Sequence, residues 1–544
     1  MFRTTKKLPA KYLYVFAFII VGSFLFSLCL AQVSTFKNKT SFGEIALKES
    51  VVPIHAGEPG NPIFWNENAH QFIYAPAFNY KAVKDASKYK YKIVSLRDSS
   101  SYNFESPVPY SSLSKVWASV PVGLFDLQVT GISAKGDSVG LAGKGQYYRA
   151  APFNGIYQKP EMPYDKSAMI ALDSLMHKGY VSYWLTNKSP DPSYDLYKLP
   201  AKIMSALIIG AVTHANLNSA ERKRSIEIAR ITADYLIGIS FKAGSLWEYF
   251  PPTYYGETLK NPDSHMQLSN NFTIMGVDAG NAYLDLYDLT KDEKYLLAAK
   301  RIAHTYLKTQ LPNGSWYLFV NHKTGRPVAE NITIPTSIIN YFDRLGKDYK
   351  MNGLEAATKK ALNWLMTNPV KTFNWQGQFE DMKGREPYKN QSREQACELA
   401  VYLFKNKQQI NVAEELIRYA EDQFVIWEQP KHYIRTGNGP SKRPSLGWNS
   451  KYWITPCVLE QYTYWMPVTR SAGIMIETYW HAYAATEKEI YLAKAKSIAN
   501  ALTLVQKENG GNYPGYFTKY PMQEWINGIV YPAKVMRSLA NNLK

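Results

Sequence analysis

Two stretches of the chain carry the same helical text. Tyr295-Leu-Leu-Ala-Ala-Lys-Arg-Ile-Ala303, running on to Gln310 and Asn313-Gly314, returns as Tyr491-Leu-Ala-Lys-Ala-Lys-Ser-Ile-Ala499, running on to Gln506 and Asn509-Gly510, at a constant offset of 196 residues. Weaker copies stand at Ile226–Leu236, Ala356–Leu365 and Val412–Phe424. Each copy leads into a loop with an aromatic residue (Trp247, Trp316, Trp375, Trp427, Tyr513), and then into a more apolar helix such as Ile334–Leu345 or Ser471–Ala485. A helical hairpin of this kind buries its apolar face only against its neighbours, so about six of them stack into a superhelix or close on themselves. The spacing predicts a mainly α chain, an (α/α)6-like toroid over 165–544. Short Ala- and Lys-rich helices form its outer ring, apolar helices its inner ring, and the long loops open on one mouth. An open solenoid is the competing architecture.

Ahead of the helices, between about Gly60 and Ala151, the text alternates with period two, as in Lys88-Tyr-Lys-Tyr-Lys-Ile-Val94 and Leu124-Phe-Asp-Leu-Gln-Val-Thr130. Such alternation puts one face of an antiparallel sheet on a core and one in water, and predicts a small β-sandwich domain over 60–151. Its expected role is scaffolding, with Trp117 in its core rather than on a glycan. Residues 1–31 carry Arg3, Lys6, Lys7 and Lys11 without an acid, then an apolar run from Tyr12 to Leu30 and small residues up to Ala31. This reads as a secretory signal, the alternative being an uncleaved anchor, and either way predicts export to the periplasm or beyond.

Charge narrows the partners. The chain has 63 Lys and Arg against 45 Asp and Glu, a net charge of +18 that falls to +14 without the four basic residues of the leader. A basic exported protein suits an acidic oligo- or polysaccharide; nucleic acid is not expected, and membrane contact only through an uncleaved leader. Outside the leader only Cys397 and Cys457 remain, far apart in sequence, able to pair or to stay as buried thiols. No CxxC or HExxH is present, so no metal and no cofactor is expected.

Four loops are rich in reactive side chains: Trp247 to Gly256 with Asp263, His265 and Asn270; Gly314 to Tyr317 with His322 and Arg326; Phe373 to Asp381; and Trp427 through His432, Tyr433 and Arg435 to Trp453. Aromatic faces stack on sugar rings, so Trp247, Tyr254, Trp316 and Trp375 are substrate-binding candidates with Asn270, Arg326, Glu380 and Arg435, although such Trp residues also wedge loops onto a ring. If the sugar is a uronate, neutralising its carboxylate acidifies the proton at C5, and a base and an acid complete a β-elimination. His265, His432, Tyr433 and Tyr255 are the candidates for those two proton roles. The alternative is glycoside hydrolysis by a carboxyl pair drawn from Glu380, Asp381, Glu248 and Asp263, and a non-catalytic glycan-binding protein is a third possibility.

Tyr-Leu-x-x-Ala-Lys-x-Ile-Ala, Asn-Gly-Ser-Trp316 and Asn-Trp-Gln-Gly-Gln-Phe-Glu-Asp381, taken with this layout, resemble the bacterial α/α-toroid enzymes acting on uronic-acid glycans. These are polysaccharide lyases, unsaturated glucuronyl hydrolases and oligosaccharide dehydratases of ulvan-type degradation. The resemblance covers about Ala168 to Lys544 and implies a carbon–oxygen lyase on a uronate-containing glycan. It transfers no catalytic residue position by position.

Overall fold

In a computed structural model, residues 41–55, 65–256, 269–328, 331–381, 386–430, 450–519 and 524–544 are described. The leader, His265, His432, Tyr433 and Arg435 lie outside them.

Six strands build the N-terminal domain: β1 (Ala77–Asn79), β2 (Lys88–Ser95), β3 (Ser101–Ser106), β4 (Tyr110–Ser112), β5 (Gly123–Ile132) and β6 (Ser138–Arg149). They form an antiparallel sheet in the order β3-β2-β5-β6 and a smaller β1-β4 pair. Alternation does what period two requires. Tyr89, Tyr91 and Ile93 of β2 and Phe125, Leu127 and Val129 of β5 point into a core closed by Phe72, Phe78 and Trp117, while Lys90 and Lys92 face water. Trp117 is fully buried and its indole N–H donates to the Ile73 carbonyl at 2.9 Å.

Among the described residues twelve helices make the toroid. In chain order they are α1 (Tyr164–Met176), α2 (Pro200–Leu217), α3 (Arg222–Ile239), α4 (Met275–Thr290), α5 (Glu293–Thr309), α6 (Thr336–Tyr349), α7 (Glu355–Thr367), α8 (Glu394–Lys405), α9 (Ile410–Phe424), α10 (Thr469–Thr486), α11 (Glu489–Glu508) and α12 (Ile526–Asn542). The even-numbered helices form the inner ring. α2 packs on α4, α4 on α6, α6 on α8, α8 on α10, α10 on α12, and α12 returns to α2, so the ring is closed and the solenoid alternative does not hold. The two clearest repeat copies are α5 and α11, both outer, and each packs on the inner helix before it.

Local sequence explains the division. α2 reads Pro-Ala-Lys-Ile-Met-Ser-Ala-Leu-Ile-Ile-Gly-Ala-Val, with proline pre-set for a first turn and apolar residues on nearly every face, as a helix walled in on several sides requires. α5 has one apolar stripe, Tyr295, Leu296, Ala299, Ile302, Ala303 and Tyr306, and Asp292 caps it through its side chain on the Lys294 N–H. Closure depends on close approach. A β-carbon on Gly210 of α2 would lie 2.5 Å from Val530 Cγ2 of α12, whereas one on Gly238 of α3 would meet nothing within 4 Å. Gly210→Leu is therefore expected to cost about 1–3 kcal/mol through overpacking. Gly238→Ala should instead stabilise by up to about 1 kcal/mol, through helix propensity and a less flexible unfolded chain. Urea midpoints of the two variants check the pair.

The domains share a buried seam. Asp422, near the end of α9, accepts the backbone N–H of Ile73 at 2.5 Å and of Tyr74 at 2.8 Å. Gln71 donates to the carbonyls of Asp422 and Val425, and Gln423 returns a bond to the Gln71 carbonyl at 2.9 Å. Cys397 and Cys457 are buried free thiols. Among the described residues no helix is long and apolar enough to cross a membrane, and no cluster of three metal-ligating side chains is present.

Candidate active site

The N-terminal turns of the inner helices converge, and each helix brings a polar side chain to their meeting point, where the charges act on one another. α2 supplies Lys202, α4 Asp278, α6 Thr336, α8 Glu394 and Glu398, α10 Arg470 and, two turns further in, Glu477, and α12 Tyr531. Two further carboxyl groups arrive from outside the ring. Glu380 comes from the loop before α8, and Glu460 from the strand Cys457–Gln461 of a hairpin completed by Tyr464–Pro467.

Most of these groups are tied. Lys202 Nζ lies 2.6 Å from Glu380 Oε1, and Arg470 Nη2 lies 2.6 Å from Glu394 Oε1. Thr336 donates its hydroxyl to Glu398 at 2.6 Å, and the Tyr531 phenol donates to Glu477. The Arg470 guanidinium sits 5.5 Å over the Tyr531 ring, a cation–π contact that fixes both. The loops are braced in turn. Tyr254 OH donates to the Glu380 carbonyl at 2.9 Å, while Arg393 and Ser392 both donate to the Glu460 carbonyl. Asn390 bonds Gln461 at 2.9 Å and accepts from Thr463, locking the hairpin to the Glu380 loop.

Two carboxyl groups stand apart. The side chains of Asp278 and Glu460 make no hydrogen bond and no ion pair among the described residues. Asp278 keeps an exposed side chain although it lies where the helix ends meet, so it faces an open cavity and not packed core. The protein packed around that opening strips away much of its solvation, and this desolvation, reinforced by the charges of Glu394 and Glu380 and opposed by Arg470 and Lys202, pushes its carboxyl up from 3.8 to about 6. Burial also pushes Glu460 up, to about 7, with Arg393 and Lys202 opposing and Glu394 adding. Burial and the neighbouring Glu394 charge raise Glu398. Burial would raise Glu394 too, but the Arg470 guanidinium at contact distance wins and holds it low. Glu394 thus stays ionised beside its guanidinium, whereas Asp278, Glu398 and Glu460, none of them ion-paired among the described residues, hold their protons to higher pH.

Further along the inner helices an ion-pair cluster ties three of them together. Asp285 of α4 takes Arg344 of α6 and Lys534 of α12, each at 2.7 Å, and these two cations hold its carboxyl down against the effect of burial.

The candidates drawn from sequence fall in several places. Glu380 is in the cavity, and Tyr254 supports its backbone from a buried position. Trp247, Trp316 and Trp375 are buried in the ring's hydrophobic core; Trp316 spends its indole N–H on the Tyr306 carbonyl at 2.9 Å. Their faces are covered by the protein's own side chains, so they wedge the loops and do not stack on a ligand. Asn270 is a buried residue of the short strand Asn270–Phe272, and Tyr255 and Arg326 are exposed. Glu248 pairs with Lys308 of the outer helix α5, away from Glu380. Asp278, Glu394, Glu398, Glu460 and Arg470 were not singled out by sequence. For the helical ones the signal is a charged residue in the first turns of a helix rich in apolar residues, as in Met-Gly-Val-Asp278-Ala-Gly and Val-Thr-Arg470-Ser-Ala-Gly; Glu460, on a strand, carries no such signal.

No family model matches the chain, and no curated protein matches it. Among solved structures it is similar to a family 76 glycoside hydrolase from a bovine Bacteroides thetaiotaomicron strain, at 12% identity over 88% of this chain and 98% of that one, with a TM-score of 0.46. It is also similar to the cellobiose 2-epimerase of Spirochaeta thermophila, at 12% identity over 70% and 98%, with a TM-score of 0.47. A third is a family 76 mannosidase from Bacteroides thetaiotaomicron, at 12% identity over 69% and 98%, with a TM-score of 0.43. Similarity at this level assigns neither a reaction nor a residue.

Proposed function

We propose that the chain is a carbohydrate-active enzyme that hydrolyses a glycosidic bond with two carboxyl groups, Asp278 and Glu460. The observation that carries this reading is that these two side chains are the untied carboxyl groups of a cavity in which the other acids have partners. Hydrolysis needs one protonated and one ionised carboxyl across the scissile bond. The ordering here, Asp278 near 6 and Glu460 near 7, suits Asp278 as the ionised member and Glu460 as the acid. Glu460 gives its proton to the departing oxygen as the C–O bond at the anomeric carbon breaks. Asp278 takes the proton of the water that attacks that carbon, or attacks it directly before water completes the exchange.

The elimination reading keeps one point of support. Tyr531, whose phenol donates to Glu477 beside the Arg470 guanidinium, brings a phenol to the same cluster. Of the residues expected for it, His265, His432 and Tyr433 lie outside the described residues and Tyr255 is exposed on its loop, and hydrolysis is favoured because its two carboxyl groups are in the cavity and untied. Incubation with glycans separates the two. New reducing ends without ultraviolet absorbance of an unsaturated uronate mean hydrolysis, and that absorbance means elimination.

The same assignment fixes a pH profile. The productive form has Asp278 ionised and Glu460 protonated. Activity should therefore rise as pH passes through about 6 and fall as it passes through about 7, a narrow bell in kcat/KM. Glu460→Gln should remove the alkaline limb together with most of the rate.

A further inference from the structure

We infer that the central cavity is built for an uncharged sugar, and that the Lys202–Glu380 and Arg470–Glu394 pairs are the elements that exclude a uronate. This rests on the reading of the cavity as a glycan site and adds the substrate's charge class to it.

The argument starts from where positive charge is available. A basic chain invites an acidic ligand, but its charge is spread over the outer ring, on exposed residues such as Arg222, Lys223 and Arg230 of α3 and Lys359 and Lys360 of α7. Among the described residues the cations that approach the meeting point of the inner helices from α2 and α10 are already engaged. Lys202 and Arg470 each hold a carboxylate at 2.6 Å, and Arg344 and Lys534 share Asp285 at 2.7 Å further along the inner helices. Arg393 is fully buried beneath the hairpin, with one nitrogen spent on the Glu460 carbonyl, so a ligand in the cavity cannot reach it.

A uronate would have to take a cation from an ion pair already made in a partly desolvated setting, leaving Glu380 or Glu394 uncompensated. It would also meet Asp278, Glu398 and Glu460, none of which has a cationic partner among the described residues. Helix N-termini attract anions, but those of α4 and α8 already carry Asp278 and Glu394 in their first turns. A neutral sugar needs only hydroxyl partners, and ionised carboxylates accept hydrogen bonds from hydroxyl groups well. Specificity here is largely the cost imposed on the wrong ligand.

The test is a set of matched pairs. Galactomannan, mixed-linkage β-glucan and pullulan are each used as they are and after selective oxidation of their primary hydroxyls to carboxylates. The dissociation constant of each for the full chain is read by affinity electrophoresis or calorimetry. At least one neutral glycan should bind, about tenfold or more tighter than its own oxidised form. Glu380→Gln, which frees Lys202, should shrink that ratio severalfold by improving binding of the oxidised form, and Glu394→Gln, which frees Arg470, provides the same readout if the first variant does not fold. Equal or tighter binding of an oxidised form by the wild type overturns the inference and leaves the glycan reading standing. An unchanged ratio in folded variants overturns the assignment of the exclusion to these pairs. Binding of neither form in any pair overturns the glycan reading, and this inference with it.

Discussion

Asp278→Asn is expected to lower kcat by about 10²–10⁴-fold, with Glu460→Gln falling in the same range. The changes are nearly isosteric. Asp278 carries no bond whose loss would disturb the ring, and Glu460 is held by its backbone, whose carbonyl still receives Arg393 and Ser392 in the variant. The far-ultraviolet circular dichroism and urea midpoint should therefore stay close to wild type while turnover collapses. That separation makes the experiment decisive, because a variant losing both fold and rate reports on structure alone. The double variant should be scarcely worse than the poorer single one, since the two groups serve one bond-breaking step. If either single variant retains full activity on a glycan that the wild type cleaves, the assignment of the pair fails.

The second large effect is on stability and concerns a charge pair outside the cavity. Lys494 of α11 and Glu421 of α9 meet at 2.7 Å with side chains 1% and 2% exposed. Glu421 also accepts the Tyr479 phenol at 2.9 Å and the Trp427 indole N–H at 3.0 Å, so its oxygens are fully engaged. The ammonium of Lys494 lies about as near to the rings of Phe153, Tyr479 and Tyr491, at 5.9, 5.8 and 6.0 Å. Removing one partner of such a pair leaves the other charge stranded, so Lys494→Met should cost about 3–5 kcal/mol. Lys494→Met with Glu421→Gln should cost less than the sum of the single changes, because the second removes the charge that the first abandons. Urea denaturation of the four proteins in the cycle reads this directly, and strict additivity would show that the pair contributes no coupling.

The sequence made the scaffold far more legible than the chemistry, for a physical reason. Outer helices such as α5 and α11 meet water on one side, so their apolar residues must recur with the helical period, and two copies of the same solution become visible as a repeat. Strands with one wet face show themselves in the same way, as Lys88 to Val94 does. Inner helices are covered nearly all round, and a lone Asp278 or Arg470 among small apolar residues has no pattern to join. The sequence therefore points to the loops, where exposed function is usually found, and to tryptophans whose burial only three-dimensional packing reveals. Glu380 was found because its loop is conspicuous. Its partner Lys202 was not, since the two are 178 positions apart and meet only when the ring is closed.

The seam between α12 and α2 has a bearing on how the protein comes into being. During synthesis α2 leaves the ribosome long before α12 exists, and Gly210 then offers a bare apolar groove to whatever is nearby until Val530 arrives to fill it. The first half of the ring can form hairpin by hairpin from local contacts, but its last joint is a contact of very high sequence separation, slow to find and costly in chain entropy. A nascent or truncated chain lacking α12 would thus present an unclosed arc with two sticky ends, and a second such arc is a ready partner for it.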